Sequence, residues 1–132
     1  MDSILKPGLR AEDSAIVTES NVASSFVSGA PDVYATPSMI GLMENAAYYS
    51  VQKHLPDGWT TVGVFVDVKH LAATPIGMKV RAAAELIEVE GYRLKFKVEA
   101  YDEKEKIGEG FHGRFIVNTG KFRARVSEKS ST

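Results

Sequence analysis

The segment from Met39 to Val51 constrains the fold more than any other part of the chain. Its apolar residues recur at helical spacing, and they are Met39, Ile40, Leu42, Met43, Ala46, Ala47 and Val51. This spacing predicts a helix with Thr36 as its N-cap and Pro37 at its first position. Because apolar side chains cover most of its circumference, the helix needs to be buried on most sides. We therefore expect a sheet that wraps around it.

Alternating apolar and polar residues predict the strands of that sheet. A first strand is expected at 14–17, and four segments after the helix alternate with a period close to two: 62–70, 78–90, 92–100 and 107–118. In the first of these four, the valines and His70 share the face that is turned toward the helix. A phase slip near Ile87 predicts a β-bulge, and Glu90-Gly91 predicts a tight hairpin. The fold class is α+β, an antiparallel β-sheet wrapped around one long central α-helix.

Length and composition limit the possible settings of the chain. The 132 residues fit one domain, 1–132, with short flexible tails at about 1–12 and 121–132, and residues 21–32 predict a loop or mobile flap. A net charge of −1 argues against nucleic acid or an anionic membrane as a partner. The chain has no cysteine, no signal-peptide pattern and no membrane-spanning apolar run, so we expect a cytoplasmic protein.

Two apparent motifs do not support a cofactor or a metal. The segment Gly108–Gly113 matches GxGxxG, but a strand pattern follows it where a dinucleotide site needs a helix. A curved strand, or the close approach of another chain, explains these glycines better. The three histidines, His54, His70 and His112, are scattered and have no thiolates beside them. We therefore predict no metal site and no cofactor, with His54 at a helix end and His112 within a strand.

Three polar residues interrupt or flank the apolar patterns, and these are Thr36, Glu44 and His70. A polar group in a position that a core would exclude needs a partner or a function. Gly41 and Ala47 flank Glu44 on the helix and leave space for a ligand. Each residue also has a plainer explanation. Thr36 can be a helix cap, Glu44 an ion-paired or solvated carboxylate, and His70 a core histidine. Eight helical residues span about 12 Å, so Thr36 and Glu44 cannot touch on one straight helix. Three alternatives would let Thr36 and Glu44 both act: the entry to the helix is bent, the groups act on different parts of one substrate, or two chains share the site.

Three motifs carry a resemblance to a known family. The segments Thr36–Glu44 (TPSMIGLME), His70–Gly77 (HLAATPIG) and Ile107–Arg114 (IGEGFHGR), with the spacing between them, resemble the fluoroacetyl-CoA thioesterase group of the hot-dog-fold superfamily. The resemblance extends from about Pro31 to Val126. It implies a hot-dog fold with a five- or six-stranded antiparallel sheet around the long helix. It also implies a homodimer that binds acyl-CoA near the subunit interface, with CoA as part of the substrate.

The resemblance also implies a catalytic set, which consists of Thr36, Glu44 and His70. Gly63, near the reacting water, and Arg114 are implied to bind substrate. Thioester hydrolysis needs a nucleophile at the carbonyl, a donor to the developing oxyanion and help for thiolate departure. In this scheme His70 orients or deprotonates water, and Thr36 donates to the oxyanion or fixes the acyl group. Glu44 acts as a general base or as a transient acyl acceptor.

The flap is where this chain departs from the fluoroacetate-specific enzyme. In that enzyme two phenylalanines of the flap gate the acyl pocket, and the corresponding positions here are Val27 and Ala30. Together with Val33 and Tyr34, these residues are expected to set the volume of the pocket. Their small aliphatic side chains predict an acyl group bulkier than acetyl.

Two other functions stay open from the sequence. A hot-dog relative can hydrate or dehydrate an enoyl-CoA, which changes the acyl chain but leaves the thioester intact. It can also bind an acyl thioester or another small ligand without turnover. Release of free thiol distinguishes hydrolysis from both alternatives.

Overall fold

One antiparallel sheet and one long helix make up most of the structure. The computed structural model describes residues 5–130. The strands are β1 (Arg10–Ile16), β2 (Trp59–His70), β3 (Lys79–Glu90), β4 (Arg93–Tyr101) and β5 (Lys106–Asn118), and the helices are α1 (Thr36–Gln52) and α2 (Thr119–Glu128). The sheet has the order β1-β3-β4-β5-β2, and every strand pair is antiparallel. The predicted α+β architecture, a sheet wrapped around a central helix, is confirmed.

Helix α1 supplies the centre of the core. Its buried residues are Met39, Leu42, Met43, Ala46, Ala47, Ser50 and Val51, which pack against the concave face of the sheet. The predicted cap is wrong by one residue, because the N-cap is Ala35 and Thr36 is already helical. The hydroxyl of Thr36 does not cap the helix because it is hydrogen-bonded to the imidazole of His70.

Strands β3, β4 and β5 form the meander that the alternation predicts. The phase slip near Ile87 corresponds to a break in the β3–β4 register between Leu86 and Glu88, so the predicted bulge is present. Gly91, with a φ of +61°, makes the tight turn into β4. The GxGxxG segment lies inside β5, where Gly108 lets the strand approach Met39 of α1.

Strand β2 departs from the predicted pattern. Its register with β5 breaks between Gly63 and Phe65, and the side chains of Val64 and Val66 are 57% and 44% exposed. The expectation that all the valines face a buried interior is therefore wrong for these two. The reason is that β2 is an edge strand with a bulge, so its central part is covered less than a strand inside the sheet.

Regular structure extends into both predicted tails. Residues 10–12 belong to β1, and residues 119–128 form α2, capped by the side chain of Asn118, which accepts a hydrogen bond from the backbone N–H of Lys121. No residue of α2 is buried, which is why no apolar pattern marked this helix. Residues 1–4 and 131–132 lie outside the described part of the chain. Within residues 5–130, no helix is long and apolar enough to cross a membrane.

Candidate active site

The start of α1 and the end of β2 meet at the pair of Thr36 and His70. Oγ1 of Thr36 and Nδ1 of His70 are hydrogen-bonded at 2.8 Å. His70 is the last residue of β2, and its side chain turns toward α1, as its position on the valine face predicts. The structure therefore brings together two of the three residues that the sequence singled out.

The imidazole of His70 has an unused nitrogen. Its Nε2 atom is buried and has no hydrogen-bond partner among residues 5–130. Burial lowers the pKa of His70, and the nearby backbone of Ala72 partly opposes this shift. A neutral imidazole with one free nitrogen can take a proton from water or from a substrate group. Beside the pair is an open cleft of about 370 Å³, lined in part by Val33 and Ala72.

The carboxylate of Glu44 lies in a second cleft, about two turns further along α1. This cleft has a volume of about 420 Å³ and is lined by Gly41, Glu44, Asn45, Tyr48, Tyr49 and Arg114. The side chain of Glu44 is 40% exposed, so it is not the buried carboxylate that the helix pattern indicated. A Cβ at Gly63 would lie 2.8 Å from Oε2 of Glu44. The absence of a side chain at Gly63 therefore makes room for the carboxylate.

Two buried basic residues of β5 stand behind Glu44. Nε of Arg114 donates to Oγ1 of Thr61 at 2.7 Å, and Nη2 donates to the carbonyl oxygen of Thr61 at 2.9 Å. Nη1 of Arg114 lies 3.2 Å from Nε2 of His112. Nδ1 of His112 lies 2.8 Å from the carbonyl oxygen of Phe65, and its Nε2 lies 4.0 Å from Oε2 of Glu44. A guanidinium, an imidazole and a carboxylate thus converge beside Gly63.

Burial controls the protonation of this group. Burial lowers the pKa of His112, and the charge of Arg114 lowers it further. The Phe65 carbonyl and the Glu44 carboxylate oppose this shift. Burial also lowers the pKa of Arg114, and the nearby Glu44 opposes that shift. His112 is therefore neutral near pH 7, whereas a guanidinium keeps its charge. The positive charge that faces the carboxylate of Glu44 is therefore that of Arg114.

The two halves of the predicted site are separate within one chain. Thr36 and His70 line one cleft, whereas Glu44 and Arg114 line the other, with Gly63 against Glu44. This agrees with the separation of about 12 Å that eight residues of a straight helix impose. Since α1 is continuous from Thr36 through Glu44, the alternative of a bent entry segment is wrong.

The residues expected to shape the acyl pocket fall into two groups. Val27 is 65% exposed in the loop that follows a short 3₁₀ turn at Ala23–Ser25, and Ala30 is half-buried in the same loop. Val33 and Tyr34 line the cleft beside the Thr36–His70 pair. The side chain of Tyr34 is buried in the core, and its hydroxyl donates to the carbonyl oxygen of Ser38 at 3.2 Å. Burial raises the pKa of Tyr34 to about 12.

His112 is the residue of this site that sequence reasoning missed. The sequence pattern predicts an ordinary strand residue, yet His112 is 1% exposed and contacts Arg114. The period-two pattern held the signal, because His112 and Arg114 share a face of β5 with buried Ile116. In the described part of the chain, no group of three or more His, Cys, Asp or Glu side chains is placed to hold a metal ion.

Comparisons with known proteins point to one family. A family model described as fluoroacetyl-CoA-specific thioesterase (FlK) matches residues 17–120. The fluoroacetyl-CoA thioesterase of Streptantibioticus cattleyicolor is 42% identical over 100 residues, which are 76% of this chain and 72% of that protein. A solved structure of the fluoroacetyl-CoA thioesterase FlK superposes with a TM-score of 0.90 at 34% identity, covering 95% of this chain and 97% of that one. A hot-dog-like protein from Thermanaerovibrio acidaminovorans gives a TM-score of 0.89 at 25% identity, covering 98% and 96%.

Proposed function

We propose a substrate range and a set of catalytic residues for this chain, which belongs to the fluoroacetyl-CoA-specific thioesterase family and is an acyl-CoA thioesterase with a hot-dog fold. The substrate is a small acyl-CoA, and the products are the free acid and CoA. The catalytic residues are Thr36, Glu44 and His70. The observation that carries this proposal is the hydrogen bond between Thr36 and His70, together with the buried Nε2 of His70, which has no partner in the described part of the chain.

The Thr36–His70 pair is proposed to act on the thioester carbonyl and on the leaving group. The hydroxyl of Thr36 lies at the N-terminus of α1, where backbone N–H groups and the helix dipole favour negative charge. An oxyanion that forms there is stabilised by the same groups. His70, kept neutral by burial, accepts a proton from the attacking water and then delivers that proton to the departing thiolate.

Glu44 is proposed to supply the negative charge that activates the nucleophile. Its carboxylate has open space on one side and the positive charge of Arg114 near the other. Two routes fit this position: the carboxylate removes a proton from water, or it attacks the acyl carbon and forms an anhydride that water then opens. Recovery of ¹⁸O in Glu44 after a single turnover in ¹⁸O-water would establish direct attack, because general-base catalysis puts the label only in the acid product.

We further propose that the complete site forms between two copies of the chain in a homodimer. In one chain the Thr36–His70 pair and Glu44 lie in different clefts, whereas the reaction needs them on one substrate. Edge strand β2 offers unpaired backbone groups and exposed Val64, Phe65 and Val66 to a partner. Two antiparallel copies of β2 bring the His70 end of one strand toward the Trp59 end of the other. Glu44 packs beside the middle of that strand, at Gly63.

The acyl preference is proposed to follow from the flap. Val27, Ala30 and Val33 are smaller than the phenylalanines that gate the pocket of the fluoroacetate-specific enzyme. A pocket with these side chains accommodates a branched or longer acyl group and holds a two-carbon group loosely. Tyr34 is included as a supporting residue behind the pocket, since its side chain lies in the core. We also propose a cytoplasmic location, because acyl-CoA thioesters are metabolites of the cell interior.

The test is thiol release from a panel of short-chain, branched, aromatic and fluorinated acyl-CoAs, with Glu44→Gln measured beside the wild-type protein. Glu44→Gln keeps the size of the side chain and removes its charge. We expect turnover of at least one branched or longer acyl-CoA and a loss of at least about 100-fold in kcat for the variant. An altered acyl chain on intact CoA would indicate a hydratase instead. Saturable binding without any turnover would indicate a binding protein.

A further inference from the structure

We propose that His112 is a positioning residue, which holds the guanidinium of Arg114 beside Glu44 by accepting a hydrogen bond at its Nε2 atom. Nothing in the family resemblance assigns a role to His112. The inference deepens the proposed function, since it rests on Glu44 and Arg114 belonging to the site. Its geometric part, the state of the imidazole, does not depend on any activity.

The direction of each hydrogen bond follows from the partners of His112. The carbonyl oxygen of Phe65, 2.8 Å from Nδ1, can only accept, so Nδ1 carries the proton. In a neutral imidazole Nε2 is then an acceptor. Nη1 of Arg114, 3.2 Å away, can only donate. The two contacts thus require a single tautomer of the imidazole, with the proton on Nδ1.

The position of Phe65 explains why this arrangement is rigid. Phe65 follows directly after the bulge of β2, and its ring lies against Gly113 of β5. The imidazole of His112 packs near the ring of Phe96 on β4, and the two ring centroids are 6.2 Å apart. His112 itself is 1% exposed. The imidazole therefore cannot rotate away from Arg114 without leaving a buried donor or acceptor unpaired.

The consequence is a fixed orientation for Arg114. Thr61 accepts from Nε and Nη2 of Arg114, and His112 accepts from Nη1, so the guanidinium is held at all three nitrogens. Each Nη group keeps one further N–H. If Nε2 of His112 were protonated, its N–H would face the N–H of Nη1, and the hydrogen bond to Arg114 would be lost. The charged groups that face the imidazole are Glu44 from α1 and Arg114 from β5, whereas β2 and β4 present the Phe65 carbonyl and the Phe96 ring.

A matched pair of variants separates positioning from a purely structural role. In His112→Gln the amide oxygen reaches the place of Nε2 and still accepts from Arg114, but the bond to Phe65 is lost. In His112→Asn the amide nitrogen takes the place of Nδ1 and keeps the bond to Phe65, but Arg114 loses its acceptor. Each variant gives up one hydrogen bond of similar kind. Thermal unfolding of both variants gives the structural cost alone.

We expect His112→Asn to lower kcat by about 10-fold or more, with KM changed less than about threefold, and His112→Gln to stay within about threefold of wild-type kcat. In an Arg114→Lys background, His112→Asn is expected to cause no further loss, because both changes act on the same contact. Equal losses in the two variants, or losses that add fully to Arg114→Lys, would overturn the proposal.

The state of the imidazole is measured independently by ¹⁵N NMR of the wild-type protein, with the His112 signals assigned by their absence in His112→Gln. We expect a neutral ring at pH 7.5 with the proton on Nδ1. A proton on Nε2, or on both nitrogens, would overturn the proposal even if the enzyme is active. If the wild-type protein hydrolyses no acyl-CoA, the proposed function fails and the tautomer alone decides the inference.

Discussion

The hydroxyl of Thr36 shows how one side chain can leave a structural role for a chemical one. By sequence it is a natural helix cap, but the helix begins one residue earlier than the pattern predicts, with Ala35 as the cap. The hydroxyl is thereby free to bond Nδ1 of His70. Because Thr36 itself is exposed, its contribution to the folding free energy is small, and its replacement tests chemistry more than stability.

We expect Thr36→Val, which keeps the shape and removes the hydroxyl, to lower kcat by at least about 10-fold while changing the unfolding free energy by less than about 0.5 kcal/mol. Thr36→Ser is the control, since it keeps the hydroxyl and is expected to keep most of the activity. Initial rates of thiol release and urea unfolding measure the two effects. Full activity of Thr36→Val would remove Thr36 from the catalytic set.

Single residues also mark the limit of what the sequence predicted. The alternation of β2 predicts that His70 faces the helix, and the family resemblance implies that Thr36 and His70 belong to one site. The hydrogen bond between them is a finding of the structure. The hydrogen bond of His112 with the Phe65 carbonyl depends on the pairing of β5 with β2, whose register breaks just before Phe65. Alternation puts His112 on the correct face, but it carries no information on the partner across the sheet.

Among the elements, β5 comes close to α1 at Gly108, and this contact helps to fix the site. A Cβ at Gly108 would lie 2.5 Å from Sδ of Met39 and 3.1 Å from Cε of Met43, and both methionines are fully buried. The sequence predicted these elements because their apolar residues point into one core. It missed α2 because none of that helix is buried, and it misjudged β2 because an edge strand can expose valines.

Gly108→Ala tests this packing. The added methyl group has no space unless Met39 moves within a filled core, so we expect a loss of about 1–3 kcal/mol in unfolding free energy. Gly120→Ala in α2 is the control, because a Cβ there would meet only Oδ1 of Asn118 at 3.6 Å. We expect this control to be neutral or slightly stabilising. Urea denaturation measures both, and equal stability of the two variants would contradict the packing argument.

In the molecule as a whole, buried His112 and half-buried His70 make the free energy of unfolding depend on pH. Burial lowers the pKa of His70 and of His112 below the ordinary value of 6.5. The unfolded chain therefore binds protons near pH 6.5, whereas the folded chain does so only at lower pH. Stability is fully present above about pH 6.5 and is lost as the pH falls through the folded pKa values. The lowered pKa values of Glu99 and Asp102 act only at more acidic pH.

We expect the unfolding free energy of the wild-type protein to fall between pH 7.5 and pH 5.5, and to fall less in His112→Gln, which has lost one of the two groups. His54→Gln is the control, because His54 is exposed at the end of α1. Urea unfolding at a fixed protein concentration gives the slopes. The same slope in His112→Gln as in the wild-type protein would mean that His112 does not contribute.

We propose that Thr36 and His70 of one chain act with Glu44 of another, and a mixed dimer tests this arrangement. Co-expressing a Thr36→Val chain and a Glu44→Gln chain with different affinity tags allows the mixed dimer to be purified. One of its two sites has Thr36, His70 and Glu44 intact, so we expect about half of the wild-type rate of thiol release, although each variant alone is nearly inactive. A mixed dimer as inactive as its parents, or a fully active wild-type monomer, would contradict the shared site.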